Sequence, residues 1–228
     1  MPGMELPYPQ SICFDLDGTL VDSVADLTVA CNLMLEEVGA GPLDESTVRG
    51  YIGDGARKLV ERALGGIELD IDHALRRFRH HYAAHLLDHT QPYPGVSQTL
   101  ERLQRMEIPL AVVTNKPHDH AVEIVKGLHL ERFFPVVVGA RPGIPVKPAP
   151  DMLQTALEEL GRKAEGSWMV GDSLNDIKVA HAVGCTAIAL SYGIGRRADL
   201  QAADPAVILD HFPELLDLLE RDPSPDPS

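Results

Sequence analysis

Phe14–Asp15–Leu16–Asp17–Gly18–Thr19–Leu20 sets two carboxylates two residues apart, directly after the apolar run Ser11–Ile12–Cys13–Phe14. A short run that is apolar at every position reads as a strand buried on both faces. Gly18 permits the chain to turn just beyond it, so both carboxylates can face one ligand. A buried strand ending in paired acids is an unusual place to leave charge, and the rest of the chain is read against it.

Comparable runs recur. Leu110–Ala111–Val112–Val113 ends at Thr114, and Phe134–Pro135–Val136–Val137–Val138 follows it. Trp168–Met169–Val170 ends at Gly171–Asp172, and Thr186–Leu190 and Ala206–Leu209 complete the set. Helical patterns at about 95–106, 117–129, 150–161 and 174–183 separate them, which predicts an α/β fold with a parallel sheet covered on both sides. From Asp22 to about Pro92 the alternation stops and no convincing strand appears. Val24, Leu27, Cys31, Met34, Leu35 and Val38 recur at helical spacing, as do Leu59, Val60, Ala63 and Leu64, then Ile71, Leu75, Phe78, Tyr82 and Leu86. The expected division is therefore an α/β core over 1–21 and 93–221, an inserted all-helical cap over 22–92, and a polar, proline-broken tail over 222–228. A cap placed there lies over the carboxyl ends of the strands, where open α/β sheets bind their ligands.

Composition narrows the function classes. The net charge of −14 argues against a nucleic-acid partner, which selects for a basic face. No apolar run approaches the roughly 18 residues of a membrane span, and Met1–Gln10 does not read as a secretory signal. The three cysteines, Cys13, Cys31 and Cys185, form no CxxC pair, so neither a disulfide framework nor a zinc site is expected and a cytoplasmic location fits. No nucleic acid and no membrane are expected as partners, and a monomer or weak homodimer as the assembly. So acidic a chain repels an anionic ligand at long range, so that a small phosphorylated metabolite, the partner the motifs below imply, has to be attracted by local cations.

Those cations and their counterparts stand at the strand ends. Thr114–Asn115 offers a hydroxyl and an amide, Lys147 before Pro148 a fixed cation, and Gly171–Asp172–Ser173–Leu174–Asn175–Asp176 two further carboxylates four residues apart. Phosphoryl transfer needs a nucleophile, neutralisation of the equatorial oxygens and a proton donor for the leaving oxygen. A carboxylate can be that nucleophile. Clustered carboxylates call for a cation, and an all-oxygen ligand set favours Mg²⁺ over zinc. Taken singly, Asp-x-Asp is usually a solvated turn, Asp172 and Asp176 could cap a helix, and Lys147 could be an ordinary loop lysine. No GxxxxGK[ST] loop is present. His80–His81, His85 and His89 read as the solvated face of a cap helix, His118 and His120 as helix surface, and Phe78 and Tyr82 as core contacts.

DLDGT at 15–19, TN at 114–115, Lys147 and GDSLND at 171–176 resemble, in order and spacing, the motifs of the haloacid dehalogenase superfamily. FDLDGTLVDS (14–23), YIGDGARKLVERAL (51–64), VTNKP (113–117), VGDSLNDI (170–177), AVGC (182–185) and LSYG (190–193) are most similar to its bacterial phosphoglycolate phosphatases. The resemblance implies a Rossmann-like core with a helical cap and a Mg²⁺-dependent phosphomonoester hydrolase that forms an aspartyl-phosphate, converting 2-phosphoglycolate to glycolate and phosphate. It implies Asp15 as nucleophile and metal ligand. Asp17 would give its backbone carbonyl to the metal and its carboxyl to acid–base work. Asp172 would be the second carboxylate ligand, with Asp176 orienting the metal's waters. Thr114 and Asn115 would hydrogen-bond the phosphoryl group, and Lys147 would pair with Asp15.

In the cap, Gly53–Asp54–Gly55–Ala56–Arg57–Lys58 is a glycine-flanked turn entering a helix, where Gly53, Gly55, Arg57 and Lys58 are expected to meet the substrate's second anionic group. A sugar-phosphate phosphomutase, or a phosphatase for another ester such as N-acetylmuramate 6-phosphate, would keep the same core motifs. A non-enzymatic phospho-aspartate switch predicts a shorter, capless domain whose acceptor ends a middle strand.

Overall fold

The computed structural model describes residues 6–220, so the expected tail over 222–228 lies outside the described residues. In chain order the elements are β1 (Ser11–Phe14), β2 (Val21–Asp22), α1 (Val24–Glu37), α2 (Glu45–Arg49), α3 (Ala56–Leu64), α4 (Ile71–Ala84), β3 (Gln91–Pro92), α5 (Val96–Arg105) and β4 (Leu110–Pro117). They continue with α6 (His118–Gly127), β5 (Val136–Ala140), α7 (Asp151–Leu160), β6 (Ser167–Gly171), α8 (Leu174–Val183), β7 (Thr186–Leu190), α9 (Arg197–Ala202), β8 (Val207–Leu209) and α10 (Glu214–Glu220).

Six strands form one parallel sheet in the order β5-β4-β1-β6-β7-β8. The all-apolar runs are explained by what covers them. Alternate side chains leave a strand on opposite faces, so Ile12, Phe14, Val112, Trp168, Val170 and Ile188 enter one apolar cluster. Cys13, Ala111, Val113, Met169 and Ala187 enter another. Helices α5, α6 and α10 close the first face, and α7 and α8 close the second. Phe14 anchors the first between Phe134 and Phe212, with ring centroids at 6.1 and 5.5 Å.

The chain runs from β1 outward through β4 to β5, then crosses to β6 on the far side of β1 and runs outward again. Connections therefore leave the carboxyl ends of β1 and β6 in opposite directions. A crevice opens between them, as it does wherever strand order reverses in such sheets. Asp15 and Asp172 each follow one of these two strands directly.

Helices α1 to α4 fill the long insertion after β1. Their apolar faces, including Leu27, Met34, Val60, Leu75 and Phe78, continue the cluster that covers the first sheet face. Where no strand was expected, Val21–Asp22 and Gln91–Pro92 pair as a two-stranded antiparallel ribbon. Two residues per strand, one of them proline, carry no periodicity to read. The pairing arises because the chain enters and leaves the insertion side by side. His89 is not on the cap helix either, since α4 ends at Ala84. Its backbone N–H instead donates to Asp26.

Asp26 is fully buried at the start of α1 and accepts from the N–H of His89 at 3.0 Å, the N–H of Thr90 at 2.8 Å and the Thr90 hydroxyl at 2.6 Å. It ties the outgoing end of the insertion to its incoming helix. Asp26→Ala leaves these donors buried and unpaired, and is expected to destabilise the protein by on the order of 3 kcal/mol. Urea unfolding checks this, and a loss below about 0.5 kcal/mol contradicts it.

Candidate active site

Asp15 stands one residue past β1, its N–H donating to Val170 O on β6 at 2.9 Å. Lys147 reaches it from the loop before α7. The ammonium, almost wholly buried, lies 2.9 Å from Asp15 Oδ1 and 2.6 Å from Asp176 Oδ1, and donates to Val113 O at 2.6 Å. Burial works against its charge, but Asp15 and Asp176 outweigh that and hold its pKa up to about 12.

Asp176 sits in the first turn of α8, where it caps the helix and also pairs with Lys147. One oxygen takes Lys147, and the other accepts from the Ser173 N–H at 3.0 Å and the Ser173 hydroxyl at 2.7 Å, half of a capping box. Asp172 is held from two sides. Thr19 Oγ1 donates to Oδ1 at 2.9 Å, and the N–H groups of Ile194 and Gly195 donate to Oδ2 at 2.6 and 3.3 Å. Gly18, at φ +86°, and Gly193 let the backbone pass so close that a Cβ at either would run into the Asp172 carboxylate.

Asp15, Asp172 and Asp176 each offer a carboxylate oxygen within 4.8 Å of the others, all buried. Burial raises the pKa of Asp15 to about 6, with Lys147 pulling against it. Burial and then the Asp15 charge raise Asp172 to about 7. Lys147 alone therefore leaves the cluster with uncompensated negative charge. A hard divalent cation fits that donor set, with Asp15 and Asp172 as the candidate carboxylate ligands.

Asp17 faces the same space from the opposite side. Ser23 Oγ donates to its Oδ1 at 2.5 Å, and Lys116 Nζ lies 2.8 Å from Oδ1 and 3.1 Å from Oδ2. Lys116 is buried and its pKa is raised, the Asp17 charge outweighing desolvation. The sequence reading did not single it out, although it follows Thr114–Asn115 directly. Thr114 borders the cleft, and its Oγ1 accepts from the Lys116 N–H at 3.2 Å.

Three expectations need correction. Asn115 borders the cleft, but its side-chain amide is already engaged. Its Oδ1 accepts from the Lys147 N–H at 2.8 Å, and its Nδ2 donates to Lys147 O at 2.9 Å and Gly53 O at 3.0 Å, so it fixes the lysine's backbone to the cap turn. Arg57 and Lys58 point away from the cleft. Arg57 pairs with Asp72, Lys58 with Glu61 at 2.7 Å, and both side chains are more than half exposed, at 51% and 57%. The apolar stripe of α3, Leu59, Val60, Ala63 and Leu64, turns inward and carries these two positions outward. Gly53 and Gly55 do border the cleft, with Ala56 and Leu59. His120 is not surface. It lines the cleft beside Phe78 and Tyr82, which are buried core contacts and cleft wall at once.

Asn175 on α8 also donates to the cap turn, to Asp54 Oδ1 at 2.9 Å and Gly53 O at 3.3 Å. The turn over residues 53–55 is thus fastened from both sides of the cleft. Among the described residues no helix is long and apolar enough to cross a membrane.

The family model described as haloacid dehalogenase-like hydrolase matches residues 12–190. A phosphoglycolate phosphatase of Chromobacterium violaceum is 38% identical over 224 residues, covering 96% of this chain and 100% of its own. One from Neisseria meningitidis is 38% identical, covering 94% of this chain and 95% of its own. A crystal structure described as a predicted phosphoglycolate phosphatase from Haemophilus somnus superposes with a TM-score of 0.86 at 33% identity, covering 92% of this chain and 97% of that one.

The raised pKa values of Asp15 and Asp172, about 6 and about 7, mean that a divalent cation competes with protons below neutrality. Affinity for Mg²⁺ is expected to rise from pH 5 to pH 7.5, by up to about tenfold per pH unit for each proton displaced. Calorimetric titration in buffers of different ionisation enthalpy checks this. Affinity independent of pH, with no proton release, contradicts it.

Proposed function

We propose that this chain, which belongs to the haloacid dehalogenase-like hydrolases, cleaves a small phosphomonoester, 2-phosphoglycolate, through an aspartyl-phosphate on Asp15. The observation that carries the reading is the Lys147–Asp15 pair at 2.9 Å, in which the buried lysine holds an acid that borders the same cleft as Asp17. An ammonium so placed holds one carboxylate oxygen still, which is what an in-line nucleophile requires.

Mg²⁺ would be held by Asp15, Asp172 and the Asp17 backbone carbonyl, with Asp176 behind them orienting waters, and would supply charge neutralisation at the phosphoryl oxygens. The chain's own groups do the rest. An Asp15 carboxylate oxygen attacks phosphorus, and the bond from phosphorus to the ester oxygen breaks. That oxygen leaves with the electron pair and takes the proton from the Asp17 carboxyl. Asp17, now ionised, removes a proton from a water that attacks the acyl-phosphate, freeing phosphate and restoring Asp15. Ser23 and Lys116 keep the Asp17 carboxyl in position for both transfers, and the Thr114 hydroxyl is available to donate to a phosphoryl oxygen.

The cavity bounded by Asp15, Asp17, Phe78, Tyr82 and His120 has about 50 Å³ of space, and a second, of about 380 Å³, is also bordered by Asp15 and Asp17. The ester is chosen on the names of the relatives, which are phosphoglycolate phosphatases.

Two measurements test the reading. With Mg²⁺, 2-phosphoglycolate is expected to give by far the highest kcat/KM in a panel with glucose 1-phosphate, N-acetylmuramate 6-phosphate and a nucleotide. A flat profile makes the chain a general phosphatase instead. Asp15→Asn is expected to lower kcat on the order of a thousandfold or more, and parental turnover, with deamidation excluded, rules out the covalent mechanism.

A further inference from the structure

The Tyr82 hydroxyl and His120 Nδ1 are both buried in the cleft wall, and neither has a hydrogen-bond partner among the described residues. Buried polar atoms are rarely left so unless something else supplies the partner. Their rings meet edge-on, with centroids at 5.4 Å, joining cap helix α4 to core helix α6. Lys116 Nζ stands 4.6 Å over the Tyr82 ring, between it and Asp17. Arg79, three residues before Tyr82 on the same face of α4, reaches the same cleft and has no acidic partner among the described residues.

At this end of the cleft the lining acids are Asp15 and Asp17, the two that the reaction uses, against Arg79, Lys116 and His120. The opening on the α8 side adds Asp54, Asp172 and Asp199 together with Arg49, Lys178 and Arg196, so its added charges offset one another.

We propose that Arg79, His120 and the Tyr82 hydroxyl form the subsite that receives the carboxylate of the substrate, at the opposite end from the transferring phosphoryl group. The subsite rests on the phosphatase reading above and replaces the Arg57 and Lys58 pair that the sequence suggested. Burial and the neighbouring Lys116 lower the pKa of His120, with Arg79 adding to the effect and Glu123 and Asp119 opposing it. A neutral imidazole still has one N–H to give a carboxylate. Because the subsite is shared between cap and core, an anionic leaving group also holds the two together.

The test compares 2-phosphoglycolate with ethyl phosphate, which lacks the carboxylate, in the Mg²⁺-loaded parent and in Arg79→Gln, His120→Gln and Tyr82→Phe. The parent is expected to prefer 2-phosphoglycolate. The ratio of the two kcat/KM values is expected to fall about tenfold or more in Arg79→Gln and His120→Gln, through a rise in KM for 2-phosphoglycolate. Tyr82→Phe lowers it less, since a neutral donor is lost. Arg79 is exposed, so its variant stays readable if a buried substitution impairs folding. A parent ratio near one, or an Arg79→Gln ratio within about twofold of the parent's, overturns the subsite and leaves the phosphatase reading standing. A parent that hydrolyses neither ester overturns both.

Discussion

Lys147 holds Asp15 and Asp176 on one buried ammonium, and every other feature of the site depends on that contact being made away from water. Removing one partner from such a group costs on the order of 3–5 kcal/mol, because the remaining charges stay buried. The fold meets this demand with local bonds. Asn115 grips the Lys147 backbone through both its N–H and its C=O, and the ammonium's remaining bond goes to Val113 O on the neighbouring strand. Asp176 is locked in turn by Ser173 at the start of α8. A lysine that might wander in solution is thereby held in one place.

The same low-dielectric setting gives the two halves of the site different tasks. On one side Asp15, Asp172 and Asp176 converge with a single cation among them, and burial holds two of them toward the protonated form. That side can take a further cation. On the other side Lys116 already neutralises Asp17, beside aromatic rings, and Asp15 is the other acid among the residues lining the cleft. That side can take a further anion. The cap turn over residues 53–55 lies between them, fastened by Asn115 from β4 and Asn175 from α8. Cap position and lysine position share one amide, that of Asn115.

The sheet and the identity of its strand-end residues were legible because strands covered on both faces leave continuous apolar runs, and polar groups just past them stand out. Asp15, Asp17, Thr114 and Asn115 border one cleft, Lys147 pairs with Asp15, and Asp172 and Asp176 converge on the same carboxylate. The direction of Arg57 and Lys58 was also written in the sequence, in the inward phase of Leu59, Val60, Ala63 and Leu64, but the turn's anion-binding look masked it. What Asn115 bonds to was not legible, since its partners lie 32 and 62 residues away. Nor was the meeting of Tyr82 with His120, which belong to separate helices whose contact exists only once the cap has folded down.

The central claim is that phosphorus becomes covalently attached to Asp15, and trapping the phosphoenzyme tests it most directly. The Mg²⁺-loaded protein is mixed with 2-phosphoglycolate, quenched in acid within one turnover, and mapped by peptide mass spectrometry. One phosphoryl group on the peptide carrying Asp15, converted to homoserine at that position by borohydride, is the predicted result. Full phosphate release with no such adduct at any quench time, or an adduct on another residue, contradicts it.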